Sequence, residues 1–186
     1  MATDASKVRV AVTGAIMKGA TSATAPTGTA GSTTGFTDLG FVGEDGVEIE
    51  LPDAGDATAI KAWQNGTTVR VIRTPSEDRP TWTFILLESS IAVAETYFGV
   101  TVTPGASEGS FEYQVKTRDP SSYIVDVIDG PELIRDYIPR GVVASVAAHT
   151  LATGEVIGYG VTIEGERDPV KGYNFKRWAT SLKTPA

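Results

Sequence analysis

Asn65-Gly66 stands between two segments with strand character, Ile60-Lys-Ala-Trp63 and Thr67-Thr-Val-Arg70. A type I′ turn needs φ > 0 at both central positions, which Asn-Gly tolerates well, so the pair predicts a tight antiparallel hairpin. Similar punctuation runs along the chain. Phe36 to Val47 reads as strands joined by glycine-centred turns at 40, 43 and 46. Val8 to Thr13 alternates and predicts a first strand. Thr67–Thr74 and Thr81–Leu87 are expected to pair around Pro75-Ser-Glu-Asp-Arg-Pro80. Further strands are predicted at Phe111–Thr117, Ser122–Asp129, Leu133–Ile138, Val142–His149 and Glu155–Gly165. Gly130-Pro131, Pro139-Arg-Gly141 and Thr153-Gly154 separate the later ones. Short strands spaced about 8 to 12 residues apart indicate an all-β sandwich or barrel.

One helix interrupts the pattern, at residues 89–98. Ser89 or Ser90 can cap its start, and Gly99 sits where a left-handed terminating residue belongs. Ile91, Ala94, Glu95 and Phe98 share one side at helical spacing and are the expected packing face. In the strand before it, Trp82, Phe84 and Leu86 fall on one face. Trp63 and Trp82 are expected in the core, and Trp178, beside Lys176 and Arg177, at the surface. The chain of 186 residues, with 20 Gly and 10 Pro, reads as one domain spanning 1–186. It has no Cys, which removes disulfides and thiolate metal sites from consideration. No apolar run is long enough to cross a membrane as a helix. Met1-Ala-Thr-Asp-Ala-Ser-Lys7 lacks an apolar signal region, so use without export through the Sec route is expected.

Residues 14–35 are rich in Gly, Ala, Ser, Thr and Pro and hold only two large apolar side chains, Ile16 and Met17. Such a segment buries too little apolar surface to offset its own ordering entropy. It is therefore expected to be an extended arm that orders on a neighbouring subunit. Charge is segregated as well. Asp38 to Asp56 holds seven acids and no base, whereas Arg167 to Ala186 holds five bases and one acid, within a net charge of −7. An acidic chain of this kind repels phosphate backbones.

Chemistry-bearing motifs are missing. Val8-Arg-Val-Ala-Val-Thr-Gly-Ala15 imitates a dinucleotide-binding strand, but the glycine spacing and the following helix are wrong. His149 is the only histidine. It has no cysteine to activate, and no nucleophile-elbow motif accompanies it. The acids at 44 to 56 miss the ligand spacing of a calcium loop. Catalysis, a cofactor and a bound metal are not expected.

The run Asp38-Leu-Gly-Phe-Val-Gly-Glu-Asp-Gly-Val47, followed by Ala62-Trp-Gln-Asn-Gly66, resembles the major tail tube proteins of long-tailed, siphovirus-type bacteriophages. There a DLGY-x-x-EDGV run precedes AWQNG, and Phe41 stands here in place of the tyrosine. Ala25-Pro-Thr-Gly-Thr29, Thr83-Phe-Ile-Leu-Leu-Glu88 and Gly154-Glu-Val-Ile-Gly-Tyr159 are also similar to segments of that family. The resemblance implies a tail-tube β-sandwich with a flanking helix. It implies hexameric rings stacked into a hollow tube through which DNA passes into the host without tight binding. It further implies a place in the virion tail, assembly in the host cytoplasm, and tape-measure and tail-terminator proteins as partners, with no membrane involved.

On that reading Glu48 and Glu50, which alternate with Val47, Ile49 and Leu51, should face the lumen. Ile16, Met17, Lys18, Pro26 and Thr27 should make the arm contacts. Asp45 and Asp53 should meet Lys171, Lys176 and Arg177 of the 167–186 segment between rings. Two rival readings share the β pattern: a secreted β-sandwich binding carbohydrate or another ligand, and the inner-tube protein of a contractile injection system.

Overall fold

The computed structural model describes residues 8–74 and 76–183. Its elements are β1 (Thr13–Gly19), β2 (Phe36–Asp38), β3 (Val42–Glu50), β4 (Ala57–Lys61), β5 (Thr68–Arg73), β6 (Thr81–Leu86), α1 (Ile91–Phe98), β7 (Ser121–Asp129), β8 (Glu132–Val146), β9 (Tyr159–Gly165) and β10 (Lys176–Ala179). Eight strands form one antiparallel sheet in the order β2-β1-β7-β8-β9-β6-β3, with β10 beside β8. The remaining two, β4 and β5, form a separate hairpin.

The long strand β8 turns this sheet into a sandwich. Its first half pairs with β7 and β10, and its last residues pair with β9. Pro139 has no N–H to give a ladder, and it sits in a bulge where Pro139 and Arg140 oppose the single residue Ser122. The Ser122 hydroxyl donates to the Pro139 carbonyl, which keeps the buried bulge satisfied. Gly141 follows. A Cβ there would lie 2.7 Å from the Tyr123 ring and 2.9 Å from Ile163, so only glycine lets the strand bend this closely. The bend brings Ile16, Tyr123, Val125 and Ile138 of one half against Trp82, Phe84, Val161 and Ile163 of the other in a single core cluster.

Helix α1 closes an end of that core. Ser90 accepts from the Val93 N–H at 3.3 Å, and Gly99 (φ 69°) donates to Glu95 O. Arg118 donates to the Thr96 and Tyr97 carbonyls at 2.8 and 2.6 Å, satisfying groups that a helix end leaves free. The packed face is centred on Val93, Thr96 and Tyr97; of the expected Ile91, Ala94, Glu95 and Phe98, Phe98 packs against the core, Ala94 and Glu95 are half-buried, and Ile91 is exposed. A seated helix this short is placed by Tyr97, whose hydroxyl donates to Ala147 O, more than by its apolar count.

The all-β expectation with one short helix holds, while several boundaries and pairings differ. The first strand is Thr13–Gly19, so residues 14–19 of the expected arm belong to the sheet. β5 pairs with β4, whereas β6 pairs with β3 and β9, so the hairpin expected between residues 67 and 87 is not formed. Leu133–Ile138 and Val142–His149 are parts of one strand, because the bulge absorbs Pro139. Phe111–Thr117 alternates as a strand should, yet it pairs with no strand among the described residues.

Candidate interaction surfaces

The two glutamates expected to face the lumen lie on β3, at an edge of the sheet. Opposed residues share a face and neighbours alternate, so register defines the surface they belong to. Glu48 faces Thr83, Thr83 faces Thr162, and Thr162 faces Ser145. One step along, Glu50, Thr81, Glu164 and Val142 form a second row. Both rows lie opposite the core side, which holds Trp82, Ile49 and Ile163. Thr83 and Thr162 hydroxyls meet at 3.0 Å. Arg79 reaches Glu164 at 2.6 Å and Glu166 at 3.3 Å, and Arg140 reaches Glu166 at 2.6 Å. Glu48 and Glu50 have no ion-pair partner among the described residues. Four strands thus present a face rich in carboxylates and hydroxyls, interrupted by Val142 and by the Arg79 and Arg140 ion pairs.

The β4–β5 hairpin is a finger separate from the main sheet, and all residues of both its strands are exposed. Asn65-Gly66 does turn the chain, but the loop is longer than the expected type I′ turn. Only Gly66 has positive φ, and the Ala62 N–H donates to Thr67 O across four intervening residues. The Asn65 side chain accepts from the Thr67 N–H and hydroxyl, which stiffens the tip. Trp63 at that tip is 96% exposed, contrary to its expected place in the core. Ile60, Val69, Val71 and Ile72 are exposed along the shaft. Phe41, in the other diagnostic run, is 76% exposed. It sits there because Gly40 (φ 81°) turns the chain against the Glu88 carboxylate, which accepts the Phe41 N–H at 3.0 Å.

The expected arm residues take other positions. Ile16 is 1% exposed, in the subunit's own core. Met17 is in β1, half-buried, and Lys18 donates to the Thr96 hydroxyl under the helix at 3.2 Å. Burial lowers the pKa of Lys18 against the pull of Glu95. Residues 20–35 run as a strap over the outer side of β7 and β8. Pro26 is buried within it and Thr27 is exposed. One side chain ties the strap down. Arg135 grips Asp126 through Nε and Nη2 at 2.7 and 2.6 Å, and its Nη1 donates to Gly31 O at 2.8 Å and Gly28 O at 3.3 Å. As seated, Ile16 and Pro26 have no surface to offer a neighbour. The apolar content that looked too small for ordering is supplemented by a buried guanidinium.

Of the expected inter-ring residues, Asp45 and Asp53 are exposed on the acidic side, Asp45 in the bulge of β3. The basic side is partly engaged at home. Arg177 makes a two-pronged contact with Asp136, both at 2.6 Å, and Lys176 lies 4.9 Å over the Trp178 ring. Lys171 is 3.8 Å from Asp168. The N–H groups of Lys171 and Val170, then the charges of Lys171 and Arg140, hold the Asp168 carboxyl below the ordinary carboxylate range. Such a group adds stability above its ordinary pKa of 3.8 and loses it as the pH falls through the depressed value. The melting-temperature gap between wild type and Asp168→Asn should therefore narrow below that pH. A gap constant into strong acid would refute the assignment.

His149 is packed among Tyr97, Phe98 and Tyr159, with Nδ1 3.0 Å from the Tyr97 hydroxyl. Among the described residues no cluster of His, Asp and Glu could hold a metal ion, and no helix is long and apolar enough to cross a membrane. The separation of the finger from the main sheet and the threonine rows escaped the sequence reading, since both depend on which strands pair. No curated protein matches the chain. A family described as phage tail tube protein matches residues 1–168, which include the strap, both diagnostic runs, the finger and the threonine rows, and to that family this chain belongs.

Proposed function

We propose that copies of this chain close into hexameric rings, that the rings stack into a hollow tube, and that DNA passes through it into the host. The observation that carries the reading is the face of Glu48, Glu50, Thr81, Thr83, Thr162 and Glu164, which becomes the inner wall. Membership of the family makes the chain a structural component of a phage tail that associates with itself, and favours that role over a secreted ligand-binding module. A conduit for DNA must not hold its cargo. Phosphates pass carboxylates and hydroxyls without the counterion release that makes basic surfaces sticky. A tube of defined length requires a length-setting and an end-closing partner, the roles of tape-measure and terminator proteins. Assembly takes place in the host cytoplasm.

The native chain lacks cysteine, so a Glu48→Cys variant carries one unique thiol. Dispersed subunits should react with both a small maleimide and a bulky polymer-linked one. Assembled tubes should react with the small reagent only. Equal reaction of tubes with both places Glu48 on the outer wall and rejects the inner-wall assignment.

A further inference from the structure

Charge in the excursion from β3 to β6 is divided between finger and base. From Ala57 to Thr74 there are three bases, Lys61, Arg70 and Arg73, and no acid. None of the three has an ion-pair partner among the described residues. At the foot of the finger, a shallow groove is lined by Asp53, Asp56, Glu77 and Asp78 together with Gly55, Thr74 and Ser76. No base lines it. Arg73, opposite Ala57, stands at the foot, whereas Lys61 and Arg70 flank the tip, about 17 Å and about 14 Å along their strands from Asp56 and Thr74 of that groove. Fields between exposed charges fade over about 8 Å at physiological salt, so the tip does not feel its own subunit's acids. The shaft is apolar on both sides: register puts Ile60, Arg70 and Ile72 on one face and Ala59 and Val71 on the other. A lone two-stranded hairpin with both faces in water is marginal, so these faces call for a partner.

Resting on the tube reading above, we propose that the finger of each copy docks tip-first into the acidic groove at the foot of another copy's finger. The occupant is a second copy of this chain. Positive tip meets negative foot, and Trp63 with the shaft residues supplies the apolar area. The interface is heterologous: each copy donates a finger and offers a groove, so the contact repeats in one direction without limit. The basic partner of the acids is then the finger instead of the 167–186 segment.

A charge-reversal mixture tests this. One variant carries Lys61→Glu and Arg70→Glu, and the other carries Asp53→Lys, Asp56→Lys and Glu77→Lys; all five positions are exposed. Each variant alone should polymerise at least about tenfold more slowly than wild type at low salt, because like charges meet at every junction. An equimolar mixture should recover assembly as an alternating copolymer, since each reversed finger finds a reversed groove. Matching circular dichroism and melting temperature for both variants and wild type establish that the fold is intact. Near-wild-type assembly by either variant alone, or no recovery by two folded variants in mixture, overturns the pairing. Wild-type protein that makes neither rings nor tubes would sink the tube reading instead, and this inference with it.

Discussion

Arg135→Ala should destabilise the subunit by about 3–5 kcal/mol, because it strands a carboxylate in the protein interior. Arg135 and Asp126 are 5% and 6% exposed, and they face each other directly across β8 and β7. Alanine removes both prongs on Asp126 and leaves the Gly31 carbonyl of the strap without its donor, while the Gly28 carbonyl keeps the Gly31 N–H at 3.1 Å. The double variant Arg135→Met, Asp126→Leu separates these effects. With no charge left buried, the pair's own loss should nearly cancel, leaving about 1–3 kcal/mol for the unsatisfied Gly31 carbonyl. Strap residues 20–35 should then become sensitive to protease while the sheet stays folded. Urea midpoints for both variants give the comparison. A cost below about 1 kcal/mol for Arg135→Ala would mean that water reaches Asp126 and that the strap is held by its own packing.

What could be read in advance follows from how local each determinant is. The helix was legible to within a residue or two, because Ser90 and Gly99 act on backbone groups a few positions away. Asn65-Gly66 marked a real hairpin for the same reason. Pairing was harder, since β6 chooses β3 and β9 over the adjacent β5 through residues about 80 positions distant. Trp63 and Trp82 have similar apolar neighbours in sequence; one is 96% exposed because it lies in the loop at the tip of the separate hairpin, and the other is fully buried because it lies in β6 of the main sheet. The alternation of Glu48 and Glu50 placed them opposite the core side, but the threonines that share that face come from strands whose register no local pattern reveals. The strap defeated composition-based reasoning because a single arginine from β8 satisfies it. Phe111–Thr117 carries a strand pattern but pairs with no strand among the described residues, and Phe111 instead packs its ring 4.9 Å from that of Phe98.

Trp63→Ala should leave the isolated subunit unchanged and cripple the polymer. A side chain that is 96% exposed makes almost no intramolecular contact, so its removal should move subunit stability by no more than about 0.5 kcal/mol. Tryptophan buried at the centre of a protein interface commonly contributes 2 kcal/mol or more, so each finger contact should weaken by about that amount. A difference of about 2 kcal/mol is roughly a thirtyfold change in an equilibrium constant, and the critical concentration for polymerisation should rise by a similar factor. Sedimentation of polymer across a concentration series measures it directly. Fluorescence adds an independent readout, because Trp82 is already buried and Trp63 is the most exposed of the three tryptophans. Wild-type emission should shift to shorter wavelength on assembly, and the shift should disappear with Trp63. A variant that polymerises at the wild-type concentration would show that the finger's tip stays in water, and the docking surface would then have to be sought on the shaft.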